Sequence, residues 1–162
     1  MKKQSLAFCV LTVFMALLVT VPSEATTTHK FTLLPPAFTS SQYTDFWYSE
    51  GFELAGLGRF YAPLNLPLDA QVTSITFYVY DNDPNGDICM RAYLFAPATQ
   101  APQLLGNGNC SSGTSQTNPQ AITITLPSNS VKAFNGMYLE GTFTDYSFDL
   151  RLFGAKVVYT TP

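Results

Sequence analysis

Along most of the chain, apolar and polar residues alternate with a period of two, which is the signature of β-strands with one buried face. In "QVTSITFYVY", Ile75, Phe77 and Val79 point one way while Thr76, Tyr78 and Tyr80 point the other. In "DICMRAYLF", Ile88, Met90, Ala92 and Leu94 share one face, and Cys89, Arg91 and Tyr93 share the opposite one. In "ITITL", Ile122, Ile124 and Leu126 alternate with Thr123 and Thr125. Similar runs are "RFYAPLNL", "PQLLGNG", "MYLEGTF" and "FDLRLFGAKVVYTT", with one or two more in "KFTLLPPAF" and "DFWYSEGFEL". No stretch repeats apolar residues at helical spacing over a dozen positions. Gly, Pro, Asn, Ser and Thr separate the runs. The pattern predicts an all-β chain: an antiparallel sandwich, jelly-roll-like, of seven to nine strands. Its expected core holds Ile75, Phe77, Val79, Met90, Ile122, Ile124, Leu126, Leu139 and Leu150.

Two local features refine the pattern. The last strand changes phase: Leu150 and Leu152 give way after Gly154 to Ala155, Val157 and Tyr159, which predicts a β-bulge at Gly154. Between the runs ending at Tyr80 and beginning at Ile88 lies "DNDPNGD". As a hairpin turn it would pair the two flanking strands and set Phe77 opposite Met90 or Ala92. Tyr78, Tyr80, Arg91 and Tyr93 would then form one outer row, with Tyr78 beside Arg91. The same residues, Asp81, Asp83, Asn85 and Asp87, alternate as calcium ligands do, and Gly86 stands where such a loop bends. Position twelve of an EF-hand loop falls on Ala92, however, and strands flank the motif instead of helices, so a plain turn is the preferred reading and a weak calcium site the alternative.

The N-terminus does not belong to the pattern. Lys2 and Lys3 precede an apolar run from Leu6 to Val21, and Ser23-Glu24-Ala25 follows with small residues suited to cleavage. This predicts a secretory signal peptide over residues 1–25, with a retained membrane anchor, for which the run is short, as the alternative. Cys9 lies within the run behind Phe8, a poor context for lipid attachment. Cleavage leaves a single domain, residues 26–162, or 162 less 25 = 137 residues. The 8 basic residues lose Lys2 and Lys3 and the 11 acidic ones lose Glu24, so the net charge moves from −3 to −4. A sparse acidic surface argues against nucleic acid and against an anionic membrane. The expected location is secreted or periplasmic. In that oxidising setting the two remaining cysteines, Cys89 and Cys110, are expected to pair.

The stretch "GRFYAPLNLPLDAQVTSITFYVYDNDPNGD", residues 58 to 87, with the terminal "LRLFGAKVVYT", resembles a group of uncharacterised exported bacterial proteins. The shared features are an aromatic-Tyr-Ala-Pro strand, a Leu-Pro connection, a long aromatic strand and a Tyr-Asp-Asn hairpin, over about half of the mature chain. The resemblance implies a compact secreted β-sandwich. It implies no activity and no site residues.

Candidate chemistry is thin. The mature chain has one histidine, His29, close to the expected new terminus, which suits neither a Ser-His-Asp arrangement nor a catalytic zinc. A glycosidase needs two carboxylates across a cleft, for which Glu50, Glu53 and Glu140 are the candidates. Aromatic residues are more informative. Trp47 and Tyr48, in the polar setting of "DFWYSE", and the row Tyr78, Tyr80, Arg91 and Tyr93 are candidate ligand surfaces, because sugar rings stack on flat aromatic faces; core packing and sheet stabilisation are the alternative roles. The leading expectation is a secreted, non-catalytic binding module for a glycan or cell-surface ligand, without a cofactor beyond a weak calcium ion. The alternative is an extracellular structural or assembly subunit, whose segment "TTTHKFTLLPPAFTSS" pairs with a neighbour or folds back on its own sheet, leaving homo-oligomerisation open. A small glycoside hydrolase comes third.

Overall fold

The computed structural model describes residues 25–41, 46–49, 51–96, 101–106, 108–113, 119–126 and 136–162, and of residues 47, 49 and 96 the backbone alone. The expected signal sequence and Glu50 therefore lie outside the described residues. Eleven strands are present among them: β1 (Thr27–Leu33), β2 (Thr39–Ser40), β3 (Phe46–Ser49), β4 (Glu53–Gly56), β5 (Gly58–Leu64), β6 (Gln71–Asp81), β7 (Ile88–Ala96), β8 (Ala101–Leu104), β9 (Gln120–Ile124), β10 (Met137–Phe143) and β11 (Leu150–Thr161). Every predicted run is a strand. The count exceeds seven to nine because "KFTLLPPAF" holds the end of β1 and leads through a 3-10 turn at Pro35–Ala37 into the short strand β2 just beyond it, and "DFWYSEGFEL" holds β3 and the start of β4, which Gly51, at φ 77°, turns back onto β3. Among the described residues no helix is long and apolar enough to cross a membrane.

The strands form two antiparallel sheets. One has the order β3-β4-β11-β6-β9, with β1 also on β11; the other has the order β2-β5-β10-β7-β8. From β4 onward the chain alternates between them, β5, β7, β8 and β10 in the second sheet and β6, β9 and β11 in the first. This is the winding of a jelly roll, and it closes two apolar faces over one core. That core includes Phe60, Ile75, Phe77, Val79, Ile88, Met90, Ile122, Ile124, Leu139, Phe143, Leu150 and Leu152. Of the expected core residues only Leu126 is half-buried, packed against the cluster from its rim.

β11 is the organising strand of the first sheet. Its one side pairs along β6, and its other side is shared, Leu152 facing Leu54 of β4 and Ala155 to Thr161 pairing with β1. The handover falls at the bulge between Leu152 and Gly154. Gly154 has φ 129°, and a Cβ there would stand 2.3 Å from the Leu33 carbonyl oxygen, so only glycine fits. β1 thus folds onto its own sheet. His29, close to the expected new terminus, is held there: Nε2 lies 3.0 Å from Thr161 Oγ1, and its ring stacks on Tyr159 at 5.0 Å.

The hairpin expected at "DNDPNGD" is not formed. β6 pairs with β11 and β9, β7 with β10 and β8, and the intervening residues 82–87 carry the chain from one sheet to the other as an arch. Phe77 and Met90 line the same core from opposite sheets instead of sitting side by side. Alternation assigns each residue to a face but not to a partner, and an arch buries the same apolar set as a hairpin.

The arch is held by its own carboxylates. Asp81, fully buried, accepts a hydrogen bond from the Asp83 amide at 3.1 Å and a short one from the Ser111 hydroxyl. Ser111 Oγ in turn accepts from the Ile88 amide at 2.8 Å. Asp83 Oδ1 accepts from the amides of Asn85 at 2.8 Å and Gly86 at 3.2 Å. The disulfide between Cys89 and Cys110, with Cα atoms 3.9 Å apart, ties the Ser111 segment to β7, and the Met90 and Ser111 amides add backbone bonds to Asn109 and Ile88. The bridge closes a loop of 21 residues in separation, worth about 3 kcal/mol in the chain-entropy model.

Three outcomes are expected. Phe77→Ala should lower unfolding stability by about 3–5 kcal/mol in denaturant titrations, and an unchanged midpoint would contradict its core position. The Asp83 carboxyl sits below its usual pKa because it accepts from the Asn85 amide first, with the Ser147 hydroxyl and the Gly86 amide adding to the effect. Such a group contributes stability that is whole above the unfolded-state value of about 3.9 and is lost as the pH falls through the lower folded value. Melting temperature followed downward from about pH 5 should therefore drop at the acid end, and Asp83→Asn should flatten that drop. Since these carboxylates serve the loop's own amides, melts in millimolar calcium and in chelator should coincide; a calcium-dependent rise would overturn the arch as described.

Candidate functional site

The outer face of the second sheet gathers the most distinctive side chains. β10 lies between β5 and β7, and its Met137, Leu139, Gly141 and Phe143 point into the core. Tyr138, Glu140 and Thr142 therefore point outward. Register aligns them in rows across the strands: Pro63, Tyr138 and Tyr93; Tyr61, Glu140 and Arg91; Arg59, Thr142 and Cys89. The first row continues onto β8 at Leu104, which is exposed.

Within these rows the tyrosines touch. The rings of Tyr93 and Tyr138 stack at 5.2 Å with 17° between planes, and Tyr61 meets Tyr138 edge-on at 5.6 Å. All three are half-buried. Burial raises the pKa of the Tyr138 hydroxyl, and the neighbouring Tyr61 and Tyr93 push it the same way. Beside them Arg91 Nη1 lies 3.4 Å from Glu140 Oε1, and the Thr142 hydroxyl donates to the same oxygen at 3.3 Å. The Glu140 side chain is only 4% exposed, unusual for a carboxylate on an outer face, whereas that of Arg91 is 41% exposed. Arg59, exposed on β5, hydrogen-bonds with Tyr61 and feels the Glu140 carboxylate, both of which raise its pKa. The result is a fixed aromatic cluster flanked by two guanidinium groups and one covered carboxylate. It can stack a flat apolar ring face and offer charged hydrogen bonds at the edge of that ring.

The sequence-predicted row is split by the arch. Arg91 and Tyr93 belong to this face, but Tyr78 and Tyr80 stand on the outer face of the first sheet, so Tyr78 and Arg91 are not neighbours. Tyr80 instead lies under the Arg151 guanidinium, 5.4 Å from its carbon, and Arg151 Nη1 pairs with Glu53 Oε2 at 3.3 Å. Tyr48, half-buried on edge strand β3 away from this face, donates its hydroxyl to the Phe38 carbonyl and meets Phe46 edge-on at 5.6 Å. Trp47 pairs with Ala55 through β3 and β4, its side chain lying outside the described residues. Of the hydrolase candidates, Glu53 and Glu140 face opposite outer surfaces of the sandwich.

Asp81, Asp83, Asn85 and Asp87 do not converge. Asp81 and Asp83 turn into the arch, Asn85 is exposed, and the backbone of Asp87 is bound to Thr144. Among the described residues no three His, Cys, Asp or Glu side chains are grouped to hold a metal ion. The face also includes residues that were not candidates from sequence. Tyr61, Tyr138 and Arg59 are outward positions of "RFYAPL" and "MYLEGTF", visible by alternation, but nothing in one strand shows which outward residues of another will stand beside it.

No protein-family model matches the sequence, and no curated protein matches it at a significant level. Several solved structures are similar to it. A xylan-binding module, CBM15, superposes with a TM-score of 0.50 at 11% identity over 82% of this chain and 97% of that one. The CBM36-1 domain of a multidomain xylanase from the hindgut metagenome of Trinervitermes trinervoides gives 0.46 at 13% identity, over 83% and 98%. A family two carbohydrate esterase from Cellvibrio japonicus gives 0.45 at 11% identity, over 85% of this chain but 35% of that one. At 11% identity the likeness to the xylan-binding module is one of architecture alone, and it agrees with the antiparallel β-sandwich drawn from the strand pattern.

Proposed function

We propose that this chain is an exported, non-catalytic glycan-binding module, and that its ligand lies across the outer face of β5, β10 and β7. The observation that carries this reading is the contact between Tyr61, Tyr138 and Tyr93, one from each of three adjacent strands. Folding needs apolar residues on the inner face; it does not need three touching aromatics on the outer one. A sugar ring has an apolar face and a polar edge, and this surface supplies a partner for each: tyrosine rings for the face, and the Arg91 and Arg59 guanidinium groups for the edge, with the covered Glu140 holding Arg91. The strands hold these groups rigidly, so little ordering is required on binding. The shared architecture with a xylan-binding module is consistent with this use of the fold. The non-catalytic part of the reading is supported, among the described candidates, by Glu53 and Glu140 standing on opposite surfaces, where this pair cannot flank one glycosidic bond at the separation of about 5–9.5 Å that hydrolysis requires. The apolar N-terminal run and the Cys89–Cys110 bridge support export.

Affinity electrophoresis through gels containing soluble polysaccharides tests the proposal. The protein should be retarded by at least one of them. Tyr138→Ala should weaken that binding by about tenfold or more, as loss of a central aromatic contact does, while Tyr78→Ala on the opposite sheet leaves it intact. A thermal melt of each variant separates loss of binding from loss of fold. Migration unaffected by any polysaccharide, or retardation that survives Tyr138→Ala and Tyr61→Ala, would refute the assignment.

A further inference from the structure

The charge of the tyrosine face differs from that of the molecule. The chain carries a net −3, yet the charged side chains that the described strands of the second sheet place on this outer face are Arg59, Arg91 and Glu140. One carboxylate balances one of two guanidinium groups and leaves the face at +1. Glu140 is covered by its neighbours and committed to Arg91 and Thr142, so it does not meet a ligand. The guanidinium groups do: Arg59 is exposed, and the Arg91 side chain is 41% exposed. Arg59 and Tyr61 are two residues apart on β5 and point the same way, and the guanidinium hydrogen-bonds with Tyr61, so the cation stands at the edge of the aromatic cluster. A neutral ring laid across Tyr61 and Tyr138 would cover Arg59 without answering its charge, and taking a cation out of water unpaired is unfavourable. A ring with a carboxylate on its edge would answer it, because two carboxylate oxygens match the guanidinium fork.

We infer that the ligand of the tyrosine face is a glycan bearing uronate carboxylates, bound with its ring on the Tyr61–Tyr138–Tyr93 cluster and its carboxylate on Arg59. The inference rests on the glycan-binding reading and narrows it to acidic polysaccharides. Arg91, held by Glu140, acts as a second, weaker contact for the carboxylate.

Isothermal titration of the mature protein with a polyuronate oligosaccharide and with its carboxyl-reduced counterpart tests the point, since the two share a backbone and differ in charge. The polyuronate should bind about tenfold tighter or more, the advantage should shrink as salt is raised, and Arg59→Ala should abolish it while leaving the melting temperature unchanged. Equal binding of the two forms would overturn the uronate assignment and leave the glycan-binding reading standing. So would binding confined to a sulfated glycan, or a preference untouched by Arg59→Ala. Binding to neither form, nor to any polysaccharide in the electrophoresis panel, would overturn both.

Discussion

One buried aspartate fixes how the two sheets are joined. Asp81 ends β6 in the first sheet, Ile88 begins β7 in the second, and the Ser111 hydroxyl bridges them, donating to Asp81 and accepting from the Ile88 amide. A carboxylate with no exposure is costly unless its oxygens are answered, and here one oxygen meets a backbone amide and the other a hydroxyl. Losing Asp81 would strand Ser111 and the Asp83 amide in the interior, each at about 1–3 kcal/mol. The Cys89–Cys110 bridge lies beside this network and keeps Ser111 in reach, so covalent and polar constraints act on the same crossing.

The candidate site's geometry follows from that crossing, for a reason of strand pairing. Because β6 leaves for the first sheet, the edges of β7 are free for β10 and β8. β10 then brings Tyr138 against Tyr93 and Glu140 against Arg91, and its other side brings Tyr61 beside Glu140. A hairpin at the same loop would have put Tyr78 beside Arg91, where Glu140 now stands. The arch therefore decides which aromatics share a surface, and two opposed outer faces arise with different characters: one with a touching tyrosine cluster, the other with the Arg151–Glu53 pair over Tyr80.

Much of the fold is legible in the sequence. Strand positions and the buried face come from alternation, which reports burial directly, and Ile75, Phe77, Val79, Met90 and Ile122 follow it without exception. The bulge at Gly154 is legible because a phase change coincides with the residue that tolerates it. Pairing is not legible, since apolar faces that meet across a core and apolar faces that lie side by side leave the same period-two pattern. Only half the outer row, Arg91 and Tyr93, consequently lies on the proposed surface. Tyr61 and Tyr138 became visible once β10 was seen between β5 and β7. "DNDPNGD" shows a further limit: carboxylates that cap a loop's own amides and carboxylates that bind calcium are spaced alike, and their direction is a tertiary property.

Mapping of backbone and aromatic resonances during titration with a bound oligosaccharide reaches the central claim most directly. Shift changes should centre on Arg59, Tyr61, Arg91, Tyr93, Tyr138 and Glu140, with Tyr78, Tyr80 and the 144–149 loop unaffected. Changes centred on that loop or on the outer face of the first sheet, with the tyrosine cluster silent, would contradict it.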